Sequence, residues 1–311
     1  MNESIESGKV VKTGFHLKRK TRKRLYFYIF LLPSLIGFAS LTAYPVFRSL
    51  YLSFTNRNLL YPGNTKWIGF LNYKVLLSYD EFWKALSNTL IYAAATVVLL
   101  NVLGILSAVL LSQVSKGSGV FRTIFFLPSI LPVVAMVVTF QMFLDPTNGI
   151  VNNFLVALGV NRTDLPLWLA SPDSGTQLVT LIIMAMWSFG SKMIIYFAGL
   201  KNISRDYYEA AQIDGATSVR MFFQITLPLL TPSIFYNMVM SIIGGLQVFT
   251  ESYVATGGNT KFYVYLLYNM AYQRPFMLGR ASAMAWLLFI VVAFFTGFYT
   301  IINRKLVYYD N

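Results

Sequence analysis

The sequence contains no cysteine and a single histidine, His16. The first absence excludes disulfides, thiolate metal sites and a cysteine nucleophile. The second excludes a histidine-based catalytic triad and a multi-histidine metal centre. Charge is scarce too: 12% of the 311 residues are Asp, Glu, Lys or Arg, against roughly 25% in soluble domains. The long apolar runs hold no pair of carboxylates, which removes the constellation a membrane-embedded hydrolase or glycosyltransferase would need. It also removes the intramembrane acids expected of an ion-driven carrier. No GxxxxGK[ST] phosphate loop occurs, so the chain has no such route to ATP.

What is abundant is apolar: 56% of residues are hydrophobic, and they gather into runs long enough to cross a bilayer. The runs are Tyr26–Val46, Thr89–Leu111, Thr123–Leu144, Gln177–Leu200, Leu229–Thr250 and Ala281–Ile302. They predict an all-α membrane protein of about six transmembrane helices. Residues 1–25 form a basic N-terminal tail, 26–303 the transmembrane domain and 304–311 a C-terminal tail. No small-residue cleavage site follows the first run, so it reads as an uncleaved anchor.

A net charge of +13 could suggest nucleic acid, but the basic residues sit at the ends of apolar runs, as the positive-inside rule requires. We therefore expect no nucleic-acid partner. Segments expected in the cytoplasm (the two tails, 112–122 and 201–228) hold fifteen Lys and Arg, and those expected outside (47–88, 145–176 and 251–280) hold nine. Both termini are thus predicted inside, although Arg48, Arg57, Lys66, Lys74 and Lys84 of the first external loop run against the rule. In the third run Pro128 and Pro132 predict kinks.

Residues 201–228 are a polar island between the fourth and fifth runs. Asp206, Tyr207, Tyr208, Glu209, Ala210 and Ala211 open an amphipathic turn with acids near its start, where the helix dipole favours them. Gly215 breaks it after Asp214. A second short helix over 217–226 places Val219, Phe222 and Phe223 on one side, and Pro228 is expected to interrupt continuity with the fifth run.

Polar groups inside the runs are costly unless partnered or wet, so they mark a candidate transport path. Ser188, Ser191 and Lys192 cluster in WSFGSK, where Gly190 permits close helix approach. Lys192 faces water, a carboxylate or a ligand hydroxyl, or else snorkels to an interface. In the fifth run Asn237, Gly244, Gly245, Gln247 and Thr250 recur at roughly helical spacing, with Glu251 at the outer end. They suit either a hydroxylated ligand or helix packing through small and hydrogen-bonding residues.

Glu209-Ala210-Ala211, three residues, Gly215, nine residues, then Ile225-Thr226-Leu227-Pro228 resembles the EAA loop of bacterial ABC importer permeases. WIGFLNY (67–73), Thr256-Gly257-Gly258 and the region Gly279–Met284 resemble the carbohydrate-uptake class, a likeness that covers nearly the whole chain. Asn259 stands where that class often has proline. The resemblance implies a type I importer permease whose coupling helix seats in a cytoplasmic ATPase, with Tyr208, Glu209, Ala210, Ala211, Asp214, Gly215, Phe222 and Pro228 as coupling residues. By the resemblance Gly244 and Gln247 lie where sugar contacts would fall; with the polar residues Ser188, Ser191, Lys192, Asn237 and Glu251 they make up the expected sugar path. The resemblance also implies a second permease chain, two ATP-binding subunits that hold ATP and Mg, and an extracellular or periplasmic solute-binding protein. The location would be the bacterial cytoplasmic membrane, with no cofactor or metal in this chain itself.

Overall fold

The computed structural model describes residues 19–303, except Ser115 and Arg274. The expected cytoplasmic tails over 1–18 and 304–311 lie outside the described residues. Of the described residues, those up to Tyr51 form one compact unit and those from Leu52 onward another. In the first, α1 (Arg19–Phe38) passes through a π turn at Ala39–Ala43 into α2 (Tyr44–Ser53). The continuous stretch Tyr26–Ser53 is long and apolar enough to span a bilayer.

Among the described residues the regular structure of the second unit is helical, apart from one isolated bridge, Thr55 to Trp67. A short α3 (Leu71–Leu77) precedes the long α4 (Asp80–Gln113), which starts nine residues before the second apolar run predicted it. Asp80 and Glu81 in its first turn favour this earlier start by facing the positive end of the helix dipole. α4 is the centre of the fold and packs most extensively against α9 (Gly190–Lys201) and α13 (Thr231–Leu246). Glycine allows both approaches. A Cβ at Gly104 would lie 2.9 Å from Lys192 Cβ, and one at Gly245 would lie 3.0 Å from Ala93 Cα.

Three of the predicted spans are broken. α5 (Ser118–Ile130) and α6 (Val133–Phe143) meet at 96°, and α8 (Ser174–Met186) and α9 at 42°. The former break falls at Leu131–Pro132, where the missing proline N–H costs nothing at the start of α6; Pro128 lies inside α5 and does not end it. Between the pairs, α7 (Ile150–Ala157) covers part of the predicted external loop. The Asp173 carboxylate caps α8, accepting from Thr176 N at 2.8 Å and Oγ1 at 3.0 Å. These bonds hold its carboxyl below the usual carboxylate range.

After α10 (Arg205–Ile213), the third broken path runs through α11 (Ser218–Met221), a π turn at Phe222–Thr226 and α12 (Leu227–Leu229) before bending 67° into α13. Pro228 therefore does not interrupt the path where expected. The preceding π turn, with Leu227 N donating to Phe222 O, leads the chain into the proline without ending the helix, and the bend comes at Leu230.

The stretch predicted as an external loop over 251–280 contains α14 (Thr250–Ala255) and α15 (Tyr263–Tyr272). α15 is too short to span and is a core element: Tyr263, Leu266, Met270 and Ala271 are buried with Phe82 of α4 and Met284 of α16 (Leu278–Asn303). Among the described residues, Tyr26–Ser53, α4 and α16 are long and apolar enough to cross a membrane, and the three bent pairs raise the number to six.

Candidate coupling face and transport cavity

The polar island folds as two short helices joined by a tight turn. Ser204 caps α10 by accepting from Asp206 N, and Thr217 caps α11 by accepting from Arg220 N. Between them Gly215 adopts φ +76°. Gly215 N donates to Gln212 O and Ala216 N to Ala211 O, the paired bonds of a Schellman stop. Only a residue tolerant of positive φ ends α10 this way, which is the physical content of the glycine after Glu209-Ala210-Ala211.

This motif presents an open face. Ile213 is 87% exposed, and Val219, Phe223 and Tyr207 are also exposed, as are Glu209, Ala210 and Asp214. Ala211 and Pro228 are half-buried. Tyr208 and Phe222 turn inward with Thr226 around a cavity of about 570 Å³ that also takes in Val109 and Leu200. The Tyr208 hydroxyl lies 2.9 Å from Thr226 Oγ1. Phe222 thus parts company with Val219 and Phe223, which sequence spacing placed on its side.

A second cavity, about 270 Å³, lies between the helix breaks. The α5–α6 break contributes Ser129 and Leu131, and the α8–α9 break contributes Ser188, Ser191 and Lys192. α13 adds Ser241, Gly244 and Gly245, and Glu251 of α14 also lines it. Irregular backbone at membrane depth is tolerated where it lines such a cavity. Among the described residues no carboxylate lies within 4 Å of the Lys192 ammonium, Glu251 included.

Two predicted path residues are elsewhere. Asn237 is completely buried beside the Tyr196 hydroxyl, and its amide makes no hydrogen bond of good geometry. Gln247 ends α13 with an exposed side chain and does not line the cavity. Sequence reading missed a polar clamp behind the cavity. Asn101 of α4 accepts from the Tyr196 hydroxyl of α9 and donates to Ser241 Oγ of α13 at 3.2 Å, while Ser241 Oγ donates to Asn237 O. Asn101 is the one amide within the second apolar run, a signal that was available.

Residues 100–308, which contain the paired short helices α10 and α11, most of the cavity lining and both halves of the broken spans, match the binding-protein-dependent transport system inner membrane component family. The chain belongs to this family. The permease is 39% identical over 276 residues to the probable ABC transporter permease protein YesP of Bacillus subtilis, covering 86% of this chain and 87% of that one. It is 33% identical over 300 residues to the lactose transport system permease protein LacF of Rhizobium radiobacter, covering 92% and 98%. In fold it is similar, at a TM-score of 0.81 and 25% identity, to a chain in the crystal structure of a bacterial alginate ABC transporter in complex with its alginate pentasaccharide-bound periplasmic protein. That likeness covers 93% of this chain and 97% of the other. The permease is a multi-pass membrane subunit of an ABC importer, and not itself an enzyme.

Proposed function

We propose that the permease passes a sugar or oligosaccharide, delivered by an external solute-binding protein, across the bacterial cytoplasmic membrane by alternating access. The observation that carries this reading is the cavity, where hydroxyls, an ammonium and a carboxylate from the α8–α9 break, α13 and α14 converge. Hydroxyls both donate and accept, as sugar hydroxyls do, and relatives named for lactose and alginate transport are similar along nearly their whole length. Energy comes from two partner subunits that bind ATP and Mg. A second permease chain completes the path.

In this reading residues 112–122, 201–228 and both termini face the cytoplasm. The face formed by Tyr207, Glu209, Ile213 and Val219 then docks on an ATPase subunit, and its exposed apolar side chains support that. Gly215 and Asp214 hold the turn, Tyr208 and Phe222 brace it from behind, and Ala210, Ala211 and Pro228 set its path. The test is reconstitution of the full complex in liposomes with its binding protein. Sugar-loaded binding protein should stimulate ATP hydrolysis and drive uptake of labelled sugar; stimulation by none of a panel of neutral and acidic oligosaccharides would reject the substrate class.

A further inference from the structure

At the end of the bundle that carries α10 and α11, the first turns of α5 and the last two turns of α9 enclose an open cleft of about 470 Å³. Its rim carries two cations. The Arg122 guanidinium lies 4.8 Å and the Lys201 ammonium 5.5 Å from the centre of the Phe197 ring. Arg122 Nε donates to Ser118 O at 3.2 Å, which fixes the side chain along its own helix and leaves the rest of the guanidinium fork to face the cleft. Among the described residues neither cation has a carboxylate within 4 Å. The wall is different in character: Phe126, Ile194 and Ala198 are apolar and at least partly accessible.

Two unneutralised cations over an aromatic ring, above an apolar wall at the end of two membrane-spanning segments, match the two halves of one kind of molecule. We propose that this cleft binds an anionic phospholipid, its headgroup phosphate between Arg122 and Lys201 and an acyl chain along Phe126, Ile194 and Ala198. The chemistry is that of basic pockets between membrane helices at the headgroup level. Arg122 supplies a fork that matches phosphate oxygens, while Lys201 supplies a point charge. Holding both over Phe197 limits the motion they lose on binding.

Lys201 also lines the 570 Å³ cavity behind the coupling helices. The headgroup would therefore sit one residue position away from the linker into α10, and the site would tie lipid composition to the coupling turn.

The test uses the whole purified complex in nanodiscs made from equal amounts of phosphatidylglycerol and phosphatidylcholine, with retained lipid counted by native mass spectrometry. Wild type should retain phosphatidylglycerol over phosphatidylcholine by on the order of ten-fold. The double variant Arg122→Gln/Lys201→Gln should bring that ratio near parity, and Arg122→Lys/Lys201→Arg should restore it. Ala198→Trp, which fills the wall and keeps both charges, should reduce retention of phosphatidylglycerol in an assembled complex. Equal retention of the two lipids by wild type, or an unchanged preference in the double variant, overturns the site. So does loss of all lipid contact because a neighbouring subunit covers the cleft. Sugar-stimulated ATP hydrolysis is read in parallel, so failure of the lipid site leaves the transport reading standing or falling on its own result.

Discussion

The Tyr208 hydroxyl and Thr226 Oγ1, eighteen residues apart, lie 2.9 Å from each other and join α10 to the π turn beneath α13. It is a direct polar link between α10, whose outer face is exposed, and the helical path that leads into α13. Tyr208→Phe removes one half-buried hydrogen bond, worth roughly 0.5–1.5 kcal/mol. Hydrogen exchange over 205–213 should quicken by on the order of fivefold, because local opening is governed by local free energy. Unchanged protection across both 205–213 and 222–229 would show that the contact carries no coupling.

Gly215 offers a test of the turn free of side-chain clashes, since a Cβ there would meet no atom within 4 Å. The cost of substitution is therefore backbone strain alone, about 1–2 kcal/mol for an ordinary residue in the left-handed region. Gly215→Val should leave the protein in the membrane but uncouple ATP hydrolysis from uptake. Gly215→Asn, which tolerates that region, should retain most of the coupling. Glu209→Lys, on the exposed face, should uncouple without loss of the turn. Normal uptake in both the valine and lysine variants would remove the coupling role from this segment.

Lys192 lines the cavity with no carboxylate within ion-pair distance among the described residues. Lys192→Met should lower transport or sugar-stimulated ATP hydrolysis while the complex still assembles, because removing a charge from a membrane helix eases insertion. Wild-type uptake by the assembled variant would mark the lysine as structural and move the substrate path off this face.

The orientation can be read by labelling in a chain that begins without cysteine. Ser118→Cys, at the first residue of α5, should resist an impermeant external thiol reagent in intact cells and react after the membrane is opened. Labelling in intact cells would invert the topology.

The apolar runs disclosed the spans because hydrophobic length is a one-dimensional property, and Gly215 disclosed its turn because few residues adopt φ +76°. The breaks were only half visible. Pro132 marked one and Pro228 and Pro232 flank the bend at Leu230, whereas the bend at Trp187–Phe189 has no proline. Gly190 explains why the latter can form: a Cβ there would collide with the Phe125 carbonyl, so α9 can approach α5 only with glycine at that position. Single-run spacing likewise assigned Asn237 to the ligand path, when its side chain is completely buried in the packed interior beside the Tyr196 hydroxyl. Which of two polar faces points to a cavity depends on the neighbouring helix, and a lone run does not contain that information.

The bent pairs also bear on how the protein is made. α5 and α8 have 13 residues each and α6 has 11, so each half rises only about 15–20 Å, well short of the roughly 30 Å hydrocarbon layer. Neither half is stable in lipid by itself. The insertion machinery must therefore hold the first half until its mate has been synthesised, whereas α4 and α16, at 34 and 26 residues, can partition into lipid as soon as they emerge. Biogenesis should then be paced by the broken spans, which close against α4, made before them, with α16 added last.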